Sequence, residues 1–172
     1  MLNAMKSVAA FVLVIAATGV FSAEKVVTVD SQWVIGGTNG WATAVNSGGE
    51  VFAGNMRPAA GGGFSKLADL NSAPNSKAKP PFAIGCGDHD IADQQWCAIV
   101  DSSGRVFVGP ARPSTAIWRE NGKVVGRAPF SVGCGRNNFC IIGDADGNTF
   151  IGSANPPDGK WTSRGKLPKM QP

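Results

Sequence analysis

Several stretches carry side chains whose types and spacing suit chemistry. His89 is the only histidine and lies in Gly87-Asp88-His89-Asp90. A flanking carboxylate there could orient the imidazole as a general base. No serine stands in an elbow motif beside it, so a polar loop residue is the simpler reading. Asp144-Ala145-Asp146-Gly147-Asn148 has the look of the opening of a calcium loop. An EF-hand starting at Asp144 needs glycine at its sixth place and glutamate at its twelfth, and those places hold Thr149 and Asn155. The four cysteines, Cys86, Cys97, Cys134 and Cys140, have no CxxC spacing and no histidine cluster to complete a zinc site. The expectation is no metal, no cofactor and no enzyme. The tryptophans offer flat faces of the kind that stack on sugar rings, and their placement along the chain decides between that role and a core one.

That placement follows a repeat. Trp41–Gly54, Trp96–Gly109 and Phe139–Gly152 align without a gap. Each opens on an aromatic and carries a turn glycine (Gly49, Gly104, Gly147), a phenylalanine (Phe52, Phe107, Phe150) and a closing glycine. Self-similarity at this period means one supersecondary unit reused around a common core. Short β-branched and aromatic runs place a first strand at 33–36, 82–85 and 130–133, and a second at 42–45, 97–100 and 140–142. A third follows at 51–53, 106–108 and 149–151, and a fourth starts near Phe64, Trp118 and Trp161. Asn46, Asp101 and Asp144 each open the turn between second and third strands, and the glycine three residues on supplies its positive φ. The repeats span 31–70, 81–122 and 129–167, with a Ser/Pro/Lys/Asn-rich loop insert at 71–80 and a second insertion between Gly85 and Trp96.

Alignment reassigns most of the showier residues to structure. Trp41 and Trp96 match Phe139, Trp118 and Trp161 match Phe64, and Trp33 matches Phe82 and Phe130. Aromatics repeated in register are expected in the core. Cys86 and Cys97 occupy the places of Cys134 and Cys140, whereas the first copy has Gly37 and Ala42 there. A pair present together twice and absent together once argues for Cys86–Cys97 and Cys134–Cys140 bridges. The candidate ligand-binding residues are the polar ones left over. Arg57, Arg112 and Asn155 stand three past each closing glycine, and Asn39, His89 and Asn137 lie between first and second strands.

The N-terminus reads as an export signal. Met1–Lys6 is short and basic, Val8–Phe21 is almost unbroken apolar sequence, and cleavage is expected after Ser22 or Ala23. Residues 1–22 are thus a signal peptide, and 24–172 form a single all-β repeat domain, which roughly 150 residues suffice to build. The expected location is secreted and extracellular, or periplasmic in a bacterium, where disulfides persist. No later segment is apolar enough for a membrane span. The net charge of +4 at pH 7, with no arginine-rich stripe, falls short of a nucleic-acid signature.

The unit Pro81-Phe82-Ala83-Ile84-Gly85-Cys86-Gly87, continuing through Trp96–Gly109 to Trp118, resembles blades of the tectonin and tachylectin-type β-propellers. More distantly it is similar to RCC1-type repeats. The likeness covers Trp33 to about Trp161. It implies four-stranded propeller-like blades and a lectin-like, non-enzymatic module that binds a glycan or cell-surface ligand. Closed propellers typically have at least four blades. Three copies therefore leave open an oligomer that completes a ring, a fourth blade built from the termini, or a β-trefoil, in which Val26–Val29 would pair with the last unit. The alternative function is an extracellular protein-binding module, an inhibitor or effector, acting through 71–80 and 88–95.

Overall fold

The computed structural model describes residues 33–38, 40–56, 63–72, 77–88, 95–115 and 117–168. Each copy of the repeat folds into one antiparallel four-stranded meander. The first sheet contains β1 (Trp33–Thr38), β2 (Trp41–Asn46), β3 (Glu50–Asn55) and β4 (Ser65–Asp69). The second contains β5 (Ala83–Cys86), β6 (Trp96–Val100), β7 (Arg105–Pro110) and β8 (Arg119–Lys123). The third contains β9 (Ser131–Cys134), β10 (Phe139–Gly143), β11 (Asn148–Ser153) and β12 (Thr162–Lys166). Among the described residues no ladder joins one sheet to another, as the shared barrel of a trefoil requires. The blade-like arrangement is the one formed. The proposed Val26–Val29 strand lies outside the described residues.

The turns follow from local chemistry. Asn46 Oδ1 accepts from the Glu50 amide, Asp101 Oδ1 from the Arg105 amide, and Asp144 Oδ1 from the Asn148 amide. Gly49, Gly104 and Gly147 adopt φ of 82°, 83° and 84°, where a side chain would be strained. The closing glycines have a different task. A Cβ on Gly109 or Gly152 would collide with the ring of Trp118 or Trp161, and one on Gly54 would press on Phe64. They let the aromatic that precedes the outer strand lie flat on the third strand.

The sheets pack face to face through their inner strands, with β5 between β1 and β9. Residues alternate between faces along a strand, so each sheet sends one set of side chains backward and one forward. Val34, Val45 and Val51 of the first sheet meet Ile84, Cys97, Ile99 and Phe107 of the second. The second sheet's opposite face, with Trp96, Ala98, Val100, Val106 and Val108, meets Val132, Cys140, Ile142 and Phe150 of the third. Covered on both sides, β6 is buried along its whole length, and its sequence is apolar throughout. By contrast β10 alternates exposed and buried, because among the described residues only its backward face has a neighbouring sheet.

This explains where the aromatic pattern departs from a common core. Trp96 and Phe82 are buried, and Trp33, Trp41, Trp118, Trp161 and Phe130 are half-buried. Phe64 is 53% exposed and Phe139 60% exposed. Phe64 lies on the backward side of the first sheet, and Phe139 on the forward side of the third. The expectation that register-matched aromatics belong to the core therefore fails at the two ends of the array.

Candidate functional site

In a four-stranded meander the loops after the first and third strands emerge at the same end. The chain builds this pole three times with one hydrogen bond. The amides of Met56, Ala111 and Ala154 donate to the carbonyls of Gly40, Gln95 and Asn138, each at 2.9 Å. Each bond ties the start of a third-to-fourth-strand loop to the residue preceding the second strand. Arg112 and Asn155 directly follow the pinned residues, and both are half-buried. Their first-copy counterpart, Arg57, lies outside the described residues, as do Asn39 and His89.

Asn137 is the most displayed of the candidates. It is exposed, adopts φ of 61°, and its amide donates to the carbonyl of Asp88 at 3.0 Å. Asparagine tolerates this left-handed conformation better than most residues. The next residue, Asn138, has φ of 60° but is buried, with its Oδ1 accepting from the Trp96 amide at 3.0 Å. One asparagine holds the second and third sheets together while its neighbour faces solvent. Gln95 Nε2 donates to Asp88 Oδ1 at 3.2 Å on the other side of the same joint. Arg112, Asn155 and Asn137 thus share one pole, on adjacent sheets.

Two disulfides brace this pole. Cys86 pairs with Cys97 and Cys134 with Cys140, each across directly opposed residues of the first two strands, with Cα separations of 3.9 and 4.0 Å. Both bridges keep within one repeat, as the alignment indicates. They close the loops that carry Asp88 and Asn137. Such bonds fit an oxidising environment.

The opposite pole is occupied by its own structure. Asp101 is fully buried, and burial pushes its carboxyl pKa up. Hydrogen bonds from the Ser103 side chain and from the amides of Lys79, Arg105 and Ser103 outweigh that and hold it below its ordinary range. Arg105 adds an ion pair at 3.0 Å, donates to the Lys77 carbonyl and lies 5.6 Å from the Phe107 ring centroid. Asp144 repeats the arrangement. Burial again raises its pKa and loses to hydrogen bonds from the Asn148 side chain and the amides of Asn148, Arg127 and Asp146. Each carboxylate fastens the segment leading into its own sheet, Lys79 or Arg127, to the turn. The calcium-like Asp144–Asn148 stretch is therefore an Asx turn whose oxygens are already engaged. Among the described residues no three His, Cys, Asp or Glu side chains are placed to share a metal ion.

The sequence left Asn121 unassigned, and the structure gives it a bridging role. Its Nδ2 donates to the Ser153 carbonyl at 3.1 Å, and its Oδ1 accepts from the Gly159 amide at 2.7 Å. Its own carbonyl accepts from Trp161 Nε1 at 2.7 Å. The missing signal is alignment: this place holds Leu67 in the first copy and Arg164 in the third. Compared with models of known protein families and with curated proteins, the chain matches none.

Proposed function

We propose that this is an exported, non-enzymatic binding module that recognises a glycan or cell-surface ligand at the pole carrying Arg112, Asn155 and Asn137. The observation that carries the reading is the threefold bond from Met56, Ala111 and Ala154 to the residue before each second strand. It sets the following residue, Arg112 or Asn155, at an equivalent place on the second and third sheets, and repeated shallow polar sites suit a repeated sugar epitope. Rigid scaffolds commonly bind through polar side chains on short, fixed loops. Arginine supplies a planar fork of donors for sugar hydroxyls or acidic sugar groups, and asparagine supplies both a donor and an acceptor. The basic, then apolar, N-terminus and the two disulfides support export.

A glycan array probed with a tetravalent form of the protein tests this reading. Multivalency raises the apparent affinity of weak sites by about two to four orders of magnitude. A selective sugar signal, lost in the double variant Arg112→Ala/Asn155→Ala, is the expected result. A blank array with the avid form rejects a glycan ligand. Capture of an extracellular protein that depends on 88–95 and not on Arg112 or Asn155 would instead favour a protein partner.

A further inference from the structure

The chain makes the same joint twice and leaves both halves of a third joint open. On the forward face of each inner strand stands a glycine: Gly36, Gly85 and Gly133. A Cβ on Gly36 would meet Ile84 at 3.3 Å, and one on Gly85 would meet Val132 at 3.0 Å, so these glycines receive the next sheet's inner strand. Among the described residues a Cβ on Gly133 would meet Ile141 alone, at 3.9 Å, so no described side chain fills that place. The residue matching Ile84 and Val132 in the first sheet is Ile35, which is half-buried.

The rest of both faces follows suit. Ile141 is 45% exposed, whereas its forward-face counterparts Thr43 and Ala98 are fully buried. Met56 is 52% exposed, whereas its backward-face counterparts Ala111 and Ala154 are fully buried. Phe139 and Phe64, the exposed end aromatics, match the residues Trp96 and Trp118 or Trp161 that lie within the internal joints. The inner strands β1 and β9 each pack on β5 and not comparably on each other, so the three sheets of one chain do not close on themselves.

We propose that two copies of this chain close a ring, in which Gly133, Phe139 and Ile141 of one copy receive Ile35, Met56 and Phe64 of the other, and the reverse. The occupant is a second copy because, among the described residues, the surface shaped like the missing half of each face is the chain's own opposite end. Head-to-tail contacts form rings when the rotation closes. Closed propellers have roughly four to eight blades, a range that two copies reach and one copy does not.

Light scattering coupled to size-exclusion chromatography of the purified protein tests the proposal, with a mass of twice the chain expected. Phe64→Asp and Phe139→Asp alter exposed residues, so each variant should keep the wild-type circular dichroism and become monomeric, with dimer dissociation constants raised about thirtyfold or more. Gly133→Leu, which fills the open receiving place, should do the same. Val125→Asp, exposed and off both faces, should leave the dimer intact. Mixing Phe64→Asp with Phe139→Asp should restore association, because each variant keeps the face that the other has lost. A wild-type monomer overturns the proposal, whether the faces stay bare or are covered by the chain's own residues 24–32. So does a dimer that survives Phe64→Asp, Phe139→Asp and Gly133→Leu, or a mixture that stays monomeric.

Discussion

Gly85 leaves the space that Val132 fills. A Cβ on the glycine would lie 3.0 Å from both the Val132 Cγ1 and the Val132 carbonyl oxygen. Gly36 faces the Ile84 side chain in the same way but less tightly, at 3.3 Å and with no backbone atom as near. A residue with no side chain thus sets the distance between neighbouring sheets, and at Gly85 the spacing depends on backbone that cannot easily give way.

Gly85→Val should therefore lower stability by about 1–3 kcal/mol through overpacking. Urea denaturation followed by tryptophan fluorescence reads this directly. An unchanged midpoint would mean that the inner strands are not in close contact.

The two bridges should contribute similar amounts. Their sequence separations are 11 and 6 residues, and loop-closure entropy varies only slowly with loop length. Replacing Cys86 and Cys97 together by alanine should cost about 3 kcal/mol, and replacing Cys134 and Cys140 together about 2 kcal/mol. Non-reducing peptide mapping of the wild type should recover both pairs, and a Cys86–Cys134 peptide would contradict the fold.

Asp101 and Asp144 predict acid sensitivity. Both carboxyls titrate below their ordinary value of 3.8 in the folded chain. Their contribution to stability is therefore complete above the unfolded value and is lost as the pH falls through the folded one. Stability should be nearly level between about pH 7 and 5 and decline below about pH 4. Asp101→Asn should cost about 1–3 kcal/mol at neutral pH, because Arg105 loses its buried partner, and should flatten the acid limb. Equal stability at pH 3 and pH 6 in the wild type would refute this assignment.

Asn138→Ala should cost about 1–3 kcal/mol, since it strands the buried Trp96 amide and places alanine in a left-handed conformation. Native-state hydrogen exchange should show the Trp96 amide among those most accelerated. Asn137→Ala, one residue away and exposed, should leave that amide protected. Equal acceleration in both variants would contradict the division of labour between them.

What the sequence made legible was local or repeated. Asn46, Asp101 and Asp144 could be assigned to turns because the side chain, the amide it accepts from and the glycine lie within a few residues. The Cys86–Cys97 and Cys134–Cys140 pairs could be read because two copies carry both cysteines and one carries neither. Bridging roles were not legible. Asn121 and Asn138 act between sheets through backbone groups distant in sequence, and no alignment of the copies marks them. Nor could the copies reveal that Phe64 and Phe139 are exposed, because exposure there depends on the absence of a neighbouring sheet rather than on residue type. At the candidate pole, the shared position of Arg112 and Asn155 was legible from their distance past the closing glycine. The link from Asn137 to Asp88 was not, since it joins two different repeats.

The most direct measurement is backbone amide chemical-shift mapping by nuclear magnetic resonance, titrating the glycan that gives the strongest array signal. The account predicts that the perturbed amides cluster at 111–112, 136–138 and 154–155, on the pole pinned by Met56, Ala111 and Ala154. Perturbations centred instead on the turns at 101–104 and 144–147 would place binding at the opposite pole and contradict it.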